Sequence, residues 1–399
     1  MTTFVYLSPN FPETGQFFCE HLRGSGVTIL GVGDTPWQEL PERLRQSLVD
    51  YAHVGDLGNY DQVLRALGWL THKHGKIDWL ESNNEFWLSL DARLRDDFNI
   101  TTGHGSELAG PIRSKAAMKP VYRRAGIPTA RQLPRLHRDE AHQFAAEVGY
   151  PLVVKPDAGI GATNTTKVTT ADELDAALDR AGATPGVIEE FIAGDIISYD
   201  AIVDENGQPV FEAATQWPPS IMDIVVQGLD LTYRVLDEVP AQLQELGRAT
   251  SQAFGMRNRF VHLEFFRLTE PRPGLGQVGD FVALEVNMRP AGGYTLDMFN
   301  FARGGDVYQI YTDLVTGHDT GAAAKAAADP QICVYAARRD VHQYRLSVAQ
   351  LLDRYGPGIV KHQRNPEIFR TQMGDEFFMI TTRNEDLADH FVADALDQA

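Results

Sequence analysis

The sequence predicts a chain of mixed α/β and α+β architecture, and three observations predict it. Short apolar runs alternate with helical patterns over the first hundred residues, as in a parallel α/β unit. From Ser198 onward the pattern turns strand-rich, and Asn206-Gly207 sits between two runs as a hairpin signal. The 399 residues are 43% hydrophobic and 10% aromatic, enough for a sizeable core and for more than one domain.

The elements follow in order. Residues 4–7 and 27–30 read as buried strands, with a helix at 15–23 between them that is closed by Gly24 and Gly26. Residues 77–80 form a further strand and 84–95 a helix, so 1–105 are assigned to this first unit. The stretch 101–110 is small and polar and is expected to be a joint. Helices are expected at 114–125, ended at Gly126, and at 141–148, ended at Gly149. A strand at 152–155 runs into a glycine-bearing loop, then come a helix at 171–180 and a strand at 187–192. Strands are expected at 198–203, 210–214, 261–268, 281–286 and 332–336, and helices at 243–254, 307–315, 348–355 and 386–396. Residues 321–329, rich in Ala and Lys, read as a connector, and Trp217-Pro218-Pro219 as a rigid loop.

Charge and cysteine usage exclude several classes. Thirty-six basic against 54 acidic residues give −18, a field that repels a polyphosphate backbone, so nucleic acid is excluded as a partner. A single nucleotide is not excluded, since local cations and backbone amides suffice for it. The two cysteines, Cys19 and Cys333, exclude a disulfide framework and a cysteine-based metal ribbon. Residues 1–7 carry no basic leader and no run of 18 apolar residues occurs, so a cytoplasmic chain that does not span a membrane is expected. Gly31-Val32-Gly33 lacks the third glycine of a dinucleotide fingerprint, because Pro36 stands there.

Three segments could carry chemistry. In the first, a strand delivers Lys155, and Asp157-Ala158-Gly159-Ile160-Gly161 follows. Such a loop brings backbone N–H groups to phosphate oxygens while the lysine supplies charge. In the second, Glu189-Glu190-Phe191-Ile192 ends a strand before Gly194. Backbone donors and acceptors beside apolar side chains suit a flat adenine ring, although alone the segment reads as an ordinary amphipathic strand. In the third, Glu285, Asn287 and Arg289 alternate along one strand and so share a face, and Glu264 on a neighbouring strand joins them. Two carboxylates and an amide oxygen are hard donors suited to Mg²⁺, with phosphate oxygens completing the shell. Arg289 would offer a bidentate fork to phosphate or carboxylate. His262 is expected to face the opposite side of its strand from Glu264 and to be a packed residue.

Taken in this order after Lys115, the segments resemble the ATP-grasp superfamily over roughly residues 110–320. The tail Arg289-Pro290-Ala291-Gly292-Gly293 looks like that of the carboxylate–amine ligases within it, such as the amino-acid ligases. The resemblance implies an ATP-grasp fold preceded by an N-terminal parallel α/β domain. The domains would be 1–105, a small lobe at 106–190, and a large lobe with a C-terminal extension at 191–399. It implies that Lys115 and Lys155 contact ATP phosphates, under a closing loop that holds Gly159 and Gly161. Glu189, Glu190, Phe191 and Ile192 would frame adenine, Ile192 mainly through its backbone. Many of these enzymes place an acidic residue at the position that is Ile196 here, and Asp195 is the adjacent acid. Glu264, Glu285 and Asn287 would hold Mg²⁺, or Mn²⁺ in its place. Arg289 and Lys155 would act on the transferring phosphoryl group.

The activity so implied is ATP-dependent ligation of a small carboxylate to an amine through an acyl phosphate, with release of ADP and phosphate, by a chain expected to form a homodimer. Two alternatives stay open: a bicarbonate-using enzyme like biotin carboxylase or carbamoyl-phosphate synthase, and a non-catalytic nucleotide-binding subunit.

Overall fold

The computed structural model describes residues 2–134, 137–158, 165–217, 229–321 and 330–399. Strands β1 (Thr3–Leu7), β2 (Thr28–Gly33), β3 (Asp50–His53) and β4 (Trp79–Glu81) form a parallel sheet in the order β3-β2-β1-β4. Every residue of β1 is buried, so the strand shows a continuous apolar run and no alternation, as expected where helices cover both faces. Those helices are α1 (Thr14–Gly24), α2 (Glu42–Ser47), α3 (Tyr60–His74) and α4 (Leu88–Asp97). Both β3 and α3 escaped the sequence reading. The signal for α3 was present: Asn59 caps it, and Val63, Leu67 and Leu70 are buried at helical spacing. The helix expected at 84–95 begins instead as a 3₁₀ turn, Glu85–Trp87, with Asn84 capping it by accepting from the Phe86 N–H. The expected joint at 101–110 runs into a helix, α5 (Ser106–Arg113), followed directly by α6 (Lys115–Arg124).

A small antiparallel sheet comes next, built from β5 (Gln132–Leu133), β6 (Leu152–Pro156), β7 (Thr166–Val168) and β8 (Gly186–Glu190) in the order β5-β8-β6-β7. Helices α7 (Arg138–Val148) and α8 (Ala171–Ala181) pack on it through Ala141, Ala145, Leu174 and Leu178.

The large sheet has eight strands. They are β9 (Gly194–Val203), β10 (Pro209–Trp217), β11 (Leu231–Val235), β12 (Arg259–Leu268), β13 (Phe281–Asn287), β14 (Ile332–Arg338), β15 (Ile359–Arg364) and β16 (Glu376–Thr382), in the order β13-β12-β9-β10-β11-β14-β16-β15. The β9–β10 hairpin turns at Asn206-Gly207 as the sequence requires. Gly207 takes φ +73°, and the Asp204 carboxylate accepts from the N–H groups of Asn206 and Gln208. Around this sheet lie α9 (Ala241–Ala253), α10 (Thr295–Arg303), α11 (Val307–Thr316), α12 (Val348–Tyr355), α13 (Glu367–Met373) and α14 (Glu385–Leu396). Across the middle of the sheet runs an aromatic stack. Trp217 lies 4.2 Å from Tyr233, Tyr233 lies 4.8 Å from Tyr335, and Tyr335 lies 4.9 Å from Phe377. Of the residues 217–219 only Trp217 is among those described, as is only Gly321 of the expected connector. No helix among the described residues is long and apolar enough to cross a membrane.

The N-terminal unit shares a core with the large sheet. Phe18 of α1 packs edge-on against Phe260, Tyr308 and Tyr311. At the rim of this contact His21 Nε2 stands 2.9 Å from Asp306 Oδ2, which also caps α11. The hydrogen bond to Asp306 holds the imidazolium of His21 above its ordinary 6.5 against the opposing effect of burial, with help from the Phe17 carbonyl and Glu20. Burial alone would raise Asp306, but its bond to His21 brings it below 3.8. The pair therefore stabilises the fold fully above 3.8 and below 6.5, and loses its contribution as pH rises through the folded value of His21. Asp306 is 44% exposed, so screening limits the contribution to at most about 1 kcal/mol. His21→Gln is expected to lower the thermal midpoint at about pH 5.5, with the gap from the parent closing toward about pH 9. An equal gap at both pH values would exclude the ion pair as its source.

Candidate active site

The first part of the site is assembled by β6, β8 and α6. Glu189 of β8 is buried, and the Lys155 ammonium from β6 reaches its Oε2 at 2.6 Å. From α6, Lys119 lies 3.3 Å from Oε1, and Gln132 Nε2 donates to the same oxygen at 2.8 Å. Burial would push the Glu189 carboxyl up, but Lys119 and Lys155 outweigh it and hold the group at about 2. Burial lowers Lys119 in turn, partly offset by Glu189. Lys119 also donates to Thr129 Oγ1 at 2.8 Å, so the buried ammonium is well satisfied. The sequence reading missed Lys119, although it lies four residues after Lys115 and hence on the same helix face.

The start of α6 is tied to the end of β6. Asp157 accepts from Ser114 Oγ and from the Ala116 N–H at 2.8 Å, while the Lys115 N–H donates to the Asp157 carbonyl at 3.0 Å. Asp157 is thus a brace between the two elements that present Lys115 and Lys155. Gly159 and Gly161, expected to lie over phosphates, fall outside the described residues.

The strand end 189–192 is less open than the sequence suggested. Glu190 does not offer its carboxylate to a ligand: Arg131 binds it through both Nε (3.1 Å) and a terminal nitrogen (2.8 Å), and Arg272 adds a contact at 2.6 Å. Burial raises Glu190, but the arginines bring it below its ordinary value. Phe191 lies under the Lys167 ammonium at 3.8 Å, and its N–H donates to the Pro151 carbonyl. The Ile192 side chain is buried with Ala130, Leu268 and Val282, so contact with a ligand falls to its backbone. Asp195 is exposed, opposite Arg267 in the β9–β12 register, and Ile196 stands opposite Phe266.

The second part lies on β12 and β13. These strands place Glu264 directly opposite Glu285, with a bulge immediately after Glu264. Asn287 is buried, opposite His262. Two carboxylates opposite each other repel. Burial and then Glu264 raise Glu285 above its ordinary value, while the Lys115 ammonium, 3.1 Å from Oε1, opposes this. Burial also raises Glu264, but His262 more than offsets it. His262 corrects an expectation. Positions two apart on a strand share a face, so it lies beside Glu264 and not behind it, with Nε2 3.3 Å from Glu264 Oε1. Its Nδ1 lies 2.7 Å from Asp200, which accepts from Ser198 Oγ at 2.6 Å. Burial disfavours the charged ring, yet Asp200 and Glu264 raise it to about 9.

Arg289, just past β13, reaches across to the N-terminal unit. Its Nε donates to Glu85 Oε2 at 2.8 Å and Nη1 to the Pro290 carbonyl at 2.8 Å. Glu85 was read only as part of a helix start. A separation of 204 residues hides such a partner from any local pattern. Among the described residues no group of three or more His, Cys, Asp or Glu is set to hold a metal ion by itself. Glu264 and Glu285 with the Asn287 amide form a hard oxygen set that phosphate oxygens would have to complete.

Lys155 of β6, Lys115 and Lys119 of α6, the opposed Glu264–Glu285 pair and Arg289 together make up the candidate site. Residues 148–296 match the family model of the ATP-grasp domain. It is similar to the L-arginine-specific L-amino acid ligase of Bacillus subtilis, 25% identical over 254 residues, or 61% of this chain and 59% of that protein. It is also similar to the phosphoribosylamine–glycine ligase of Streptomyces coelicolor, 38% identical over 111 residues, or 27% of this chain and 25% of that one. The chain thus spans less than two thirds of the length of these relatives. Among solved structures, an L-amino acid ligase from Bacillus licheniformis superposes with a TM-score of 0.72 at 13% identity, covering 100% of this chain and 98% of that one. The overall fold is therefore the ATP-grasp fold with an N-terminal parallel α/β sheet.

Proposed function

We propose that the chain is an ATP-dependent carboxylate–amine ligase that forms an amide or peptide bond and releases ADP and phosphate. The observation that carries this reading is the Glu264–Glu285 pair across β12 and β13, flanked by Lys115, with Arg289 just past the end of β13. Similarity to amino-acid and phosphoribosylamine–glycine ligases supports it.

A carboxylate is a poor electrophile. Its oxygen attacks the γ-phosphorus of ATP, ADP leaves, and the acyl phosphate carries a good leaving group. The amine nitrogen then attacks the acyl carbon, the carbon–oxygen bond to phosphate breaks, and the nitrogen loses a proton. Donor and acceptor are both anionic: two unit charges about 4 Å apart repel by roughly 4 kcal/mol at an effective dielectric of 20. Lys155 and Lys115 would neutralise phosphate oxygens, and Arg289 would hold the acid or the transferring group. Glu264, Glu285 and Asn287 would hold Mg²⁺, whose donor preferences Mn²⁺ also meets. When bound, the metal supplies charge neutralisation at the phosphates. The buried Glu189 positions Lys119 and Lys155 through contacts at 3.3 and 2.6 Å between turnovers.

The test is phosphate release from ATP and Mg²⁺ against a matrix of amino acids and amines, with mass spectrometry of products. Release that needs two organic substrates, with a product one water lighter than their sum, is the expected result. Release that needs bicarbonate alone would replace this reading with the carboxylase-like one.

A further inference from the structure

A closed circuit of contacts begins and ends at Arg289. The guanidinium is held by Glu85 at 2.8 Å. The neighbouring Asn84 donates its side-chain amide to the Phe11 carbonyl at 3.3 Å. The Phe11 ring stacks on Phe369 of α13 with centroids 5.8 Å apart. One turn further along α13, the Met373 methyl lies 2.8 Å from where a Cβ on Gly293 would stand. Gly293 follows Arg289 by four residues, which closes the circuit. Three segments far apart in sequence thus surround one side of the catalytic strand end.

The circuit is firmly held yet partly open. Met373 and Gly374 are pinned by polar groups: Tyr335 donates to the Met373 carbonyl at 2.8 Å, and Asn365 Nδ2 donates to the carbonyls of Met373 and Gly374 at 3.0 and 2.9 Å. Phe369 and Met373 are four residues apart and so share one helix face. The intervening Arg370 is engaged elsewhere, with its Nε on the Asn365 carbonyl at 2.9 Å. In spite of this anchoring, Phe369 and Met373 remain half-buried, Phe11 is 38% exposed and Gly293 is exposed. Gly293 takes φ +62°, which favours glycine there, so the turn beside Arg289 stays low and the Met373 methyl lies directly against it.

We propose that Phe11, Phe369 and Met373 form the side-chain subsite for the acid substrate whose carboxylate Arg289 holds, and that this substrate carries an apolar side chain. The inference rests on the ligase reading, and it adds the substrate class and the residues that select it. Apolar pockets discriminate by roughly 10- to 200-fold per methylene-scale difference. Leucine and phenylalanine are therefore expected to exceed glycine and glutamate in kcat/KM by at least about tenfold as the acid partner. Met373→Ala and Phe369→Ala are expected to reduce that ratio at least about fivefold, mainly through KM for the apolar acids.

Binding is measured in parallel by titrating the full-length protein, loaded with a non-hydrolysable ATP analogue and Mg²⁺, with leucine, phenylalanine, glycine and glutamate. Retained analogue affinity in each variant reports an intact fold. Selectivity unchanged in both variants, or a parent that prefers glutamate, would overturn the subsite. Absent turnover with every pair would count against the ligase reading, and the titration then decides the subsite independently: apolar preference lost in the variants sustains it, and no preference in the parent removes it.

Discussion

Glu285→Ala is expected to lose Mg²⁺-dependent phosphate release by at least about a hundredfold while the protein stays folded. The two halves of this expectation have separate causes. In the folded protein Glu285 is a liability: burial and the carboxylate of Glu264 directly opposite both disfavour its charge. Removing it relieves that repulsion, and the lost ion pair to Lys115 is partly exposed, with Glu285 at 24%, so its stabilising contribution is small. The thermal midpoint should therefore move by no more than a few degrees. Catalysis has no such compensation, since a hard anionic donor opposite Glu264 is what the metal and triphosphate would need there. Circular dichroism with a phosphate-release assay on the same preparation separates the two effects. Parent-level turnover by a folded Glu285→Ala protein would remove this residue from the site.

The second large effect concerns stability. Glu81, at the end of β4, is fully buried between two buried guanidiniums: Arg95 lies 2.7 Å from Oε1 and Arg259 of β12 lies 3.1 Å from Oε2. Arg95 also donates to the carbonyls of Leu80 and His104, and Arg259 to that of Met288. The carboxylate thus couples the N-terminal sheet to the backbone just before Arg289. Nearby, burial first and then Arg259 and Arg95 depress the His104 imidazole to about 2, so it is neutral and adds no charge. Burial likewise lifts Asp91 to about 7. Glu81→Ala removes the carboxylate that both buried guanidiniums contact. The expected cost is about 3–5 kcal/mol, the range for removing one partner of a buried pair. Chemical denaturation followed by far-ultraviolet circular dichroism measures it, and a loss under about 1 kcal/mol would show that the charges are solvated in a way the geometry does not suggest.

Local patterns carried much of the site. Glu285, Asn287 and Arg289 were legible because alternation along a strand is a two-residue rule, and Lys155 because a strand running into glycines is a local signal. The same rule, applied correctly, also makes His262 a neighbour of Glu264 and not a residue on the far face. Partners joined across the fold were not legible. Glu81 and Arg259 are 178 residues apart, and Glu85 and Arg289 are 204 apart. The partners of the Glu190 carboxylate were hidden for the same reason: Arg131 and Arg272, which bind it, come from elsewhere. In the fold, parallel strands with long apolar runs were found, but β3, β5, β7, β11, β15 and β16 were not. The misses differ in kind: β16 carries a buried apolar run at Phe377–Ile380 that the reading passed over, whereas β15 (Ile359–Arg364) has no fully buried residue and pairs with β16 along its length.

The aromatic stack in the middle of the large sheet gives the molecule an optical handle. The chain's five tryptophans are Trp37, Trp69, Trp79, Trp87 and Trp217, and only Trp217 lies beyond the first hundred residues. Its ring rests 4.2 Å from Tyr233, whose hydroxyl is 3.5 Å from where a Cβ on Gly293 would stand. Replacing the other four with phenylalanine would leave a single indole whose emission senses the turn after Arg289. Substrate arrival could then be timed in a stopped-flow instrument without any label, and separated from the chemistry that follows it.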